Sequence, residues 1–120
     1  MEPENNLNQR ELYDNLNANN TLREVQQYIK NVIELRGFGK QPVNEAMLLL
    51  LEEVGELAKS IRKSNMAIDM SKLQNYDTVE SEVADVFIVL ASVCNLLNID
   101  MFQSLRDKET ENISRTWKKR

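Results

Sequence analysis

At 120 residues, 42% of them hydrophobic and 28% charged, the chain has the size and composition of one folded domain with a modest core. It holds no histidine and a single cysteine, which removes Ser-His-Asp and Cys-His catalysis, histidine-ligated zinc, Glu-x-x-His di-iron centres, internal disulfides and thiolate metal cages. The net charge of −4 argues against general attraction to nucleic acid or to an anionic membrane surface, so neither is an expected partner.

In chain order, residues 1–20 are rich in Asn and acidic groups, with Leu7, Leu12, Tyr13 and Leu16 as the only anchors. They read as a loosely ordered N-terminal arm or a weak helix. They carry no positive region followed by an apolar run, so they are not a signal peptide, and the lone Cys94 suits a reducing compartment; a cytoplasmic location is expected. Residues 21–120 read as one helical domain. Thr21-Leu22-Arg23-Glu24 has capping-box spacing, Leu22, Val25, Ile29, Val32 and Ile33 recur at helical intervals, and Arg36-Gly37-Phe38-Gly39 ends that helix.

A second helix is expected from Asn44, as N-cap, to about Lys63, with Ala46, Leu50, Val54, Leu57 and Ile61 as its apolar face. The stretch from Ser64 to Asp77 is polar, with a short helical turn expected around Ile68 to Leu73. Asp77 or Thr78 then caps a helix from Val79 to Leu97, which Asn98-Ile99 breaks. Asp100-Met101-Phe102-Gln103 starts a last helix expected to run toward Trp117 and finish in Lys118-Lys119-Arg120. Only 3 Gly and 2 Pro leave little turn material for a sandwich or barrel, and no useful β-alternation appears. The apolar runs Met47–Leu51 and Val86–Ala91 are too short to span a bilayer. The fold class is all-α, a four-helix bundle.

The chemistry lies in carboxylates set among apolar residues. In Glu52-Glu53-Val54-Gly55-Glu56, Glu53 falls inside the apolar stripe, one turn after Leu49 and Leu50 and one turn before Leu57. Glu56 sits one turn further on, at the stripe's edge, while Glu52 points away from it. Glu82 and Asp85 repeat the i, i+3 spacing at the head of a helix that is apolar on nearly every side. If the two helices pack antiparallel, the four carboxylates Glu53, Glu56, Glu82 and Asp85 converge and repel. Desolvated oxyanions of this kind need a cation, and a hard divalent ion accepts oxygen donors while keeping waters for a phosphate-bearing substrate. The competing reading is structural ion pairing to Lys59 or Arg62, with the acidic run otherwise a solvated face.

Glu52-Glu53-x-x-Glu56, a gap, and Glu82-x-x-Asp85 resemble the EExxE…ExxD signature of the MazG-like all-α nucleotide pyrophosphohydrolases, a superfamily that includes dimeric dUTPases, dCTPases and phosphoribosyl-ATP pyrophosphatases. The likeness covers roughly Leu22 to Trp117. It implies a four-helix unit assembled as a dimer or dimer of dimers, with Mg²⁺ (Mn²⁺ a possible substitute) on Glu53, Glu56, Glu82 and Asp85. The family often carries a Lys/Asn/Arg pattern on its last helix, and Lys108, Asn112 and Arg115 stand here at i, i+4 and i+7, a face suited to a polyphosphate. A basic helix end serving the macrodipole is the plainer reading of that face. The segment Phe38 to Asn44 matches no subfamily's base-recognition segment.

The resemblance therefore implies a Mg²⁺-dependent hydrolase that cleaves the α–β bond of a nucleoside triphosphate to the monophosphate and pyrophosphate. Glu52 or Glu56 is expected to take the attacking water's proton and Lys59 and Arg62 to reach the phosphates; Phe38 or Trp117 is the candidate for stacking on the base, with a place in the core as the plainer reading of a single aromatic. Two alternatives stay open. One is a phosphoribosyl-ATP pyrophosphatase. The other is a non-catalytic helical dimerisation or partner-binding module. The near-continuous apolar surface of the 79–97 helix points to a homodimer or homotetramer, because so short a chain has little material to cover it.

Overall fold

The computed structural model describes residues 2–64 and 78–118, and their side chains from residue 8 onward. Among these residues there are helices and turns and no strand: α1 (Glu2–Asp14), α2 (Leu22–Leu35), α3 (Val43–Ser64), α4 (Val79–Leu96) and α5 (Met101–Asn112). The all-α expectation holds. The turn expected around Ile68 to Leu73 lies outside the described residues.

Short-range chemistry sets most helix ends. Thr21 Oγ1 accepts from the Glu24 N–H at 3.1 Å while Glu24 Oε1 accepts from the Thr21 N–H at 2.8 Å, the reciprocal capping box read from the sequence. Thr78, rather than Asp77, caps α4 by accepting from the Ser81 N–H at 3.1 Å. Asp100 caps α5 by accepting from the Gln103 N–H at 3.0 Å. Both α2 and α4 end in a left-handed residue, Gly37 at φ 89 and Asn98 at φ 56. In each case the next N–H folds back five residues, Phe38 onto the Ile33 carbonyl at 3.0 Å and Ile99 onto the Cys94 carbonyl at 2.8 Å.

Two boundaries differ from expectation. Helix α3 starts at Val43, so Asn44 lies inside its first turn rather than at its cap. The Pro42 carbonyl accepts the first helical bond, from the Ala46 N–H at 3.2 Å, and Pro fits a helix start because the N–H it lacks has no helical partner there. Helix α5 stops at Asn112, well short of Trp117. The chain turns back there, with Trp117 Nε1 donating to the Asn112 carbonyl at 3.0 Å and the Arg115 guanidinium 4.5 Å from the Trp117 ring centroid.

The most extensive packing is between α3 and α4; α2 lies against α4 and α5, and α1 against α2. The 1–20 segment is thus helical over Glu2–Asp14, with Arg36 Nε donating to Gln9 Oε1 at 2.9 Å where α1 meets the end of α2. Among the described residues, Ile29, Val32, Ala46, Ala91 and Val93 are the buried hydrophobic ones. On α3, Leu50 and Leu57 are half-buried, but Val54 and Ile61, expected on the same apolar face, are exposed.

A polar clamp joins α2 to the α4–α5 turn. Buried Gln26 donates from Nε2 to Asn95 Oδ1 at 2.9 Å and to the Ile99 carbonyl at 2.7 Å. Its Oε1 accepts the Met101 N–H at 2.9 Å, and Asn95 Nδ2 returns a bond to the Gln26 carbonyl at 3.2 Å. Every polar atom of the Gln26 amide is partnered, which is what makes its burial tolerable. Outside this clamp, Arg23 pairs with Asp100 at 2.6 Å and lies over the Phe102 ring, fixing the start of α5 against α2.

Candidate metal centre

The acidic groups meet where α3 crosses α4. Glu53, Glu82 and Asp85 each offer a carboxylate oxygen, and those oxygens lie within 4.8 Å of one another. Glu82 is buried, and Glu53 and Asp85 are half-buried. The helix period produces this meeting: Glu82 and Asp85 are three apart and so share a face of α4, and Glu53 replaces an apolar residue in the stripe of α3 that faces them. The register is antiparallel. Ala46 and Leu49, before Glu53, share a cavity wall with Ile88, Val89 and Ser92, after Asp85.

Three carboxylates at this separation and depth oppose one another. Each is partly or wholly withdrawn from water and repelled by the other two, a cost that a bound cation would offset. Its donor set is all oxygen, the preference of Mg²⁺, Mn²⁺ and Ca²⁺ and not of thiophilic metals. The residues present therefore fit a hard divalent cation.

The other candidate site residues fall into three places. Glu56 is exposed, one turn beyond Glu53, and its carboxylate is outside the group of three. Glu52 is exposed on the neighbouring strip of α3, and Lys59 and Arg62 are exposed further along the same helix. Lys108, Asn112 and Arg115 do not share a helix face, because α5 ends at Asn112 and Arg115 lies beyond it. Their partners are local: Lys108 pairs with Glu111 at 3.0 Å, Asn112 Nδ2 donates to Glu109 Oε2 at 2.7 Å, and Arg115 stacks on Trp117. The reading of that face as a basic helix end serving the macrodipole does not hold either, because the last turn of α5 carries no basic residue and Lys108 pairs with Glu111.

Asp100 is held below the ordinary carboxylate range, first by the Gln103 backbone N–H and then by Arg23. It serves the fold as the α5 cap. The Cys94 thiol is pushed up by burial, which keeps it protonated at neutral pH and unsuited to nucleophilic work.

Sequence reasoning missed the cavity beside these helices, because its walls come from three separate parts of the chain and no local spacing announces it.

The family model of the MazG nucleotide pyrophosphohydrolase domain matches residues 41–115, more than half of the chain, and this span contains all three carboxylates. Comparison with curated proteins and with solved structures gives no match.

Proposed function

The chain belongs to the MazG nucleotide pyrophosphohydrolase family, and we propose from that membership that it hydrolyses a nucleoside triphosphate, or its deoxy form, between the α and β phosphates. The observation that carries this reading is the convergence of Glu53, Glu82 and Asp85 within 4.8 Å. These three carboxylates are the proposed ligands of a divalent cation, Mg²⁺ with Mn²⁺ as substitute, and Glu56 is the proposed fourth, brought in by a rotamer change from its exposed position. When bound, the cation would neutralise charge on the phosphate oxygens and acidify a coordinated water.

The chain's own groups would do the rest. Water attacks the α-phosphorus, a new P–O bond forms, the bond from that phosphorus to the α–β bridging oxygen breaks, and pyrophosphate leaves. Glu52 or Glu56, on the same helix as Glu53, accepts the water's proton. Lys59 and Arg62 follow Glu56 along α3 and hold the polyphosphate; Lys108, Asn112 and Arg115 are a second proposed set of phosphate contacts.

A second copy of the chain completes the unit in this reading, as a homodimer or homotetramer. Leu48, Leu51 and Val54 line one strip of α3, and Val83 and Leu90 on α4 are followed at the same seven-residue interval by its C-cap Leu97; all six are exposed. The reading also places the protein in the cytoplasm, where a single cysteine stays reduced. No single described helix is long and apolar enough to cross a membrane.

The test is a panel of nucleotides incubated with Mg²⁺ or with EDTA and scored for pyrophosphate against orthophosphate. Pyrophosphate release that needs Mg²⁺ and disappears in folded Glu53→Gln and Asp85→Asn supports the reading. Orthophosphate as the sole first product contradicts it. Hydrolysis of phosphoribosyl-ATP alone would move the assignment to that branch of the family.

A further inference from the structure

A cavity of about 310 Å³ opens beside the acidic group, between α2, the α2–α3 turn, α3 and α4. That is the lower end of the range for small-molecule sites, about 300–1,000 Å³. Its inner wall is apolar, with Leu49, Ile88 and Val89 among the lining residues. Leu49 stands one turn before Glu53, and Ile88 and Val89 stand one turn after Asp85. At 1.5 Å rise per residue, that wall begins about 6 Å along the helices from the carboxylates. A nucleotide with its phosphates at the acidic group would carry its base into this space across the sugar.

The mouth of the cavity has the chemistry of a flat, polar-edged ligand. Phe38 lines it and is 58% exposed, an aromatic ring left at an opening instead of in the core. The turn places it there: left-handed Gly37 reverses the chain after α2, and the Phe38 N–H is tied to the Ile33 carbonyl. Trp117, the other aromatic considered for stacking, is stacked with Arg115 beyond the end of α5.

Several polar side chains at the cavity are engaged elsewhere. Arg36 donates to Gln9, Ser92 to the Ile88 carbonyl, and Asn95 to the Gln26 carbonyl. The Gln41 amide and the Glu34 carboxylate also line the opening. Gly39 gives Glu34 its place, because a Cβ at residue 39 would stand 2.7 Å from Glu34 Cγ. A carboxylate only accepts hydrogen bonds, and an amide both accepts and donates. Together they suit a heterocycle edge that presents an amino group beside a ring nitrogen.

We propose that this cavity is the nucleobase subsite, with Phe38 stacking on the base and Glu34 and Gln41 selecting one that bears an exocyclic amino group. The inference rests on the nucleotide reading above and adds to it the class of base.

The test uses the full chain and two readouts. In EDTA, binding of the eight common ribo- and deoxyribonucleoside monophosphates is followed by NMR. With Mg²⁺, steady-state hydrolysis is measured for the matching triphosphates and for inorganic tripolyphosphate, which has no base. Monophosphates of adenine, guanine or cytosine bind at least tenfold tighter than those of uracil and thymine. Phe38→Ala weakens them tenfold or more, and Glu34→Gln narrows the preference. In hydrolysis, Phe38→Ala raises KM for the nucleoside triphosphates at least tenfold, changes kcat less than threefold, and narrows the gap in kcat/KM between those nucleotides and tripolyphosphate. Phe38 and Glu34 are exposed, so these variants fold, and circular dichroism verifies it. If neither variant changes binding or the base preference, or if the wild type binds no monophosphate, the subsite assignment is overturned. Loss of pyrophosphate release from every triphosphate, with monophosphate binding intact and Phe38-dependent, would count against the catalytic reading and leave the subsite standing.

Discussion

Glu53 on α3 and Asp85 on α4 bring carboxylate oxygens within 4.8 Å of each other, with buried Glu82 in the same group. Carboxylates so arranged are worth more to a bound cation than to the fold. Replacing Asp85 by Asn keeps the shape and removes one negative charge from the cluster. The metal-free Asp85→Asn protein is therefore expected to melt at or above the wild-type temperature, while the stabilisation that Mg²⁺ gives the wild type is lost. Differential scanning calorimetry with Mg²⁺ and with EDTA measures both effects. A variant that melts lower without metal and keeps its Mg²⁺ response contradicts the arrangement.

The Gln26 clamp carries a different expectation, because its partners are backbone and amide groups with nowhere else to turn. Gln26→Leu leaves the Met101 N–H, the Ile99 carbonyl and the Asn95 amide short of partners. At about 1–3 kcal/mol for each buried group left unsatisfied, the variant should lose roughly 2–4 kcal/mol after partial relaxation. Urea unfolding would show this as a lower midpoint with an unchanged slope. A loss below about 0.5 kcal/mol, the range of ordinary surface substitutions, would mean the clamp is ornamental.

Asp100 gives the fold an acid-sensitive contribution. Its folded pKa is depressed, so its stabilising effect is fully present above the ordinary aspartate pKa and is lost as pH falls through the lower folded value. Asp100→Asn keeps a capping oxygen but no charge. The melting-temperature gap between wild type and this variant should be constant near neutrality and close below about pH 4. A gap that widens on acidification would reverse the sign and refute the assignment.

Cys94 should behave as an inert thiol. Burial raises its pKa, so little thiolate exists at neutral pH, and a disulfide reagent such as DTNB should react with it more slowly than with free cysteine until denaturant is added. Rapid reaction in the native state would show that the α4 face around it is open.

The legible parts of this chain were those set by neighbours in sequence. Thr21 with Glu24, Thr78 before Val79 and Asp100 before Met101 are caps, and each acts within three residues. The placement of Glu53 against Glu82 and Asp85 was legible too, because helical period and the antiparallel habit of successive helices are enough to bring them together. What escaped notice depends on contacts that no helical spacing announces. Helix α5 ends at Asn112 with no Gly or Pro to announce it, where Trp117 folds back onto the Asn112 carbonyl, and that break separates Arg115 from Lys108. Helix α1 has almost no apolar periodicity of its own and lies against α2, where Arg36 meets Gln9. The exposure of Glu56, next to half-buried Glu53, depends on how far α4 extends along α3, which spacing alone cannot fix.

The most direct test of the metal centre is a Mn²⁺ titration followed by electron paramagnetic resonance, in which the six-line signal of free Mn²⁺ reports the unbound ion. The wild type should suppress that signal saturably and release the ion to excess Mg²⁺, while Glu53→Gln and Asp85→Asn each weaken binding tenfold or more. Equal suppression by wild type and both variants, or none by the wild type, would contradict a cation site at the α3–α4 crossing.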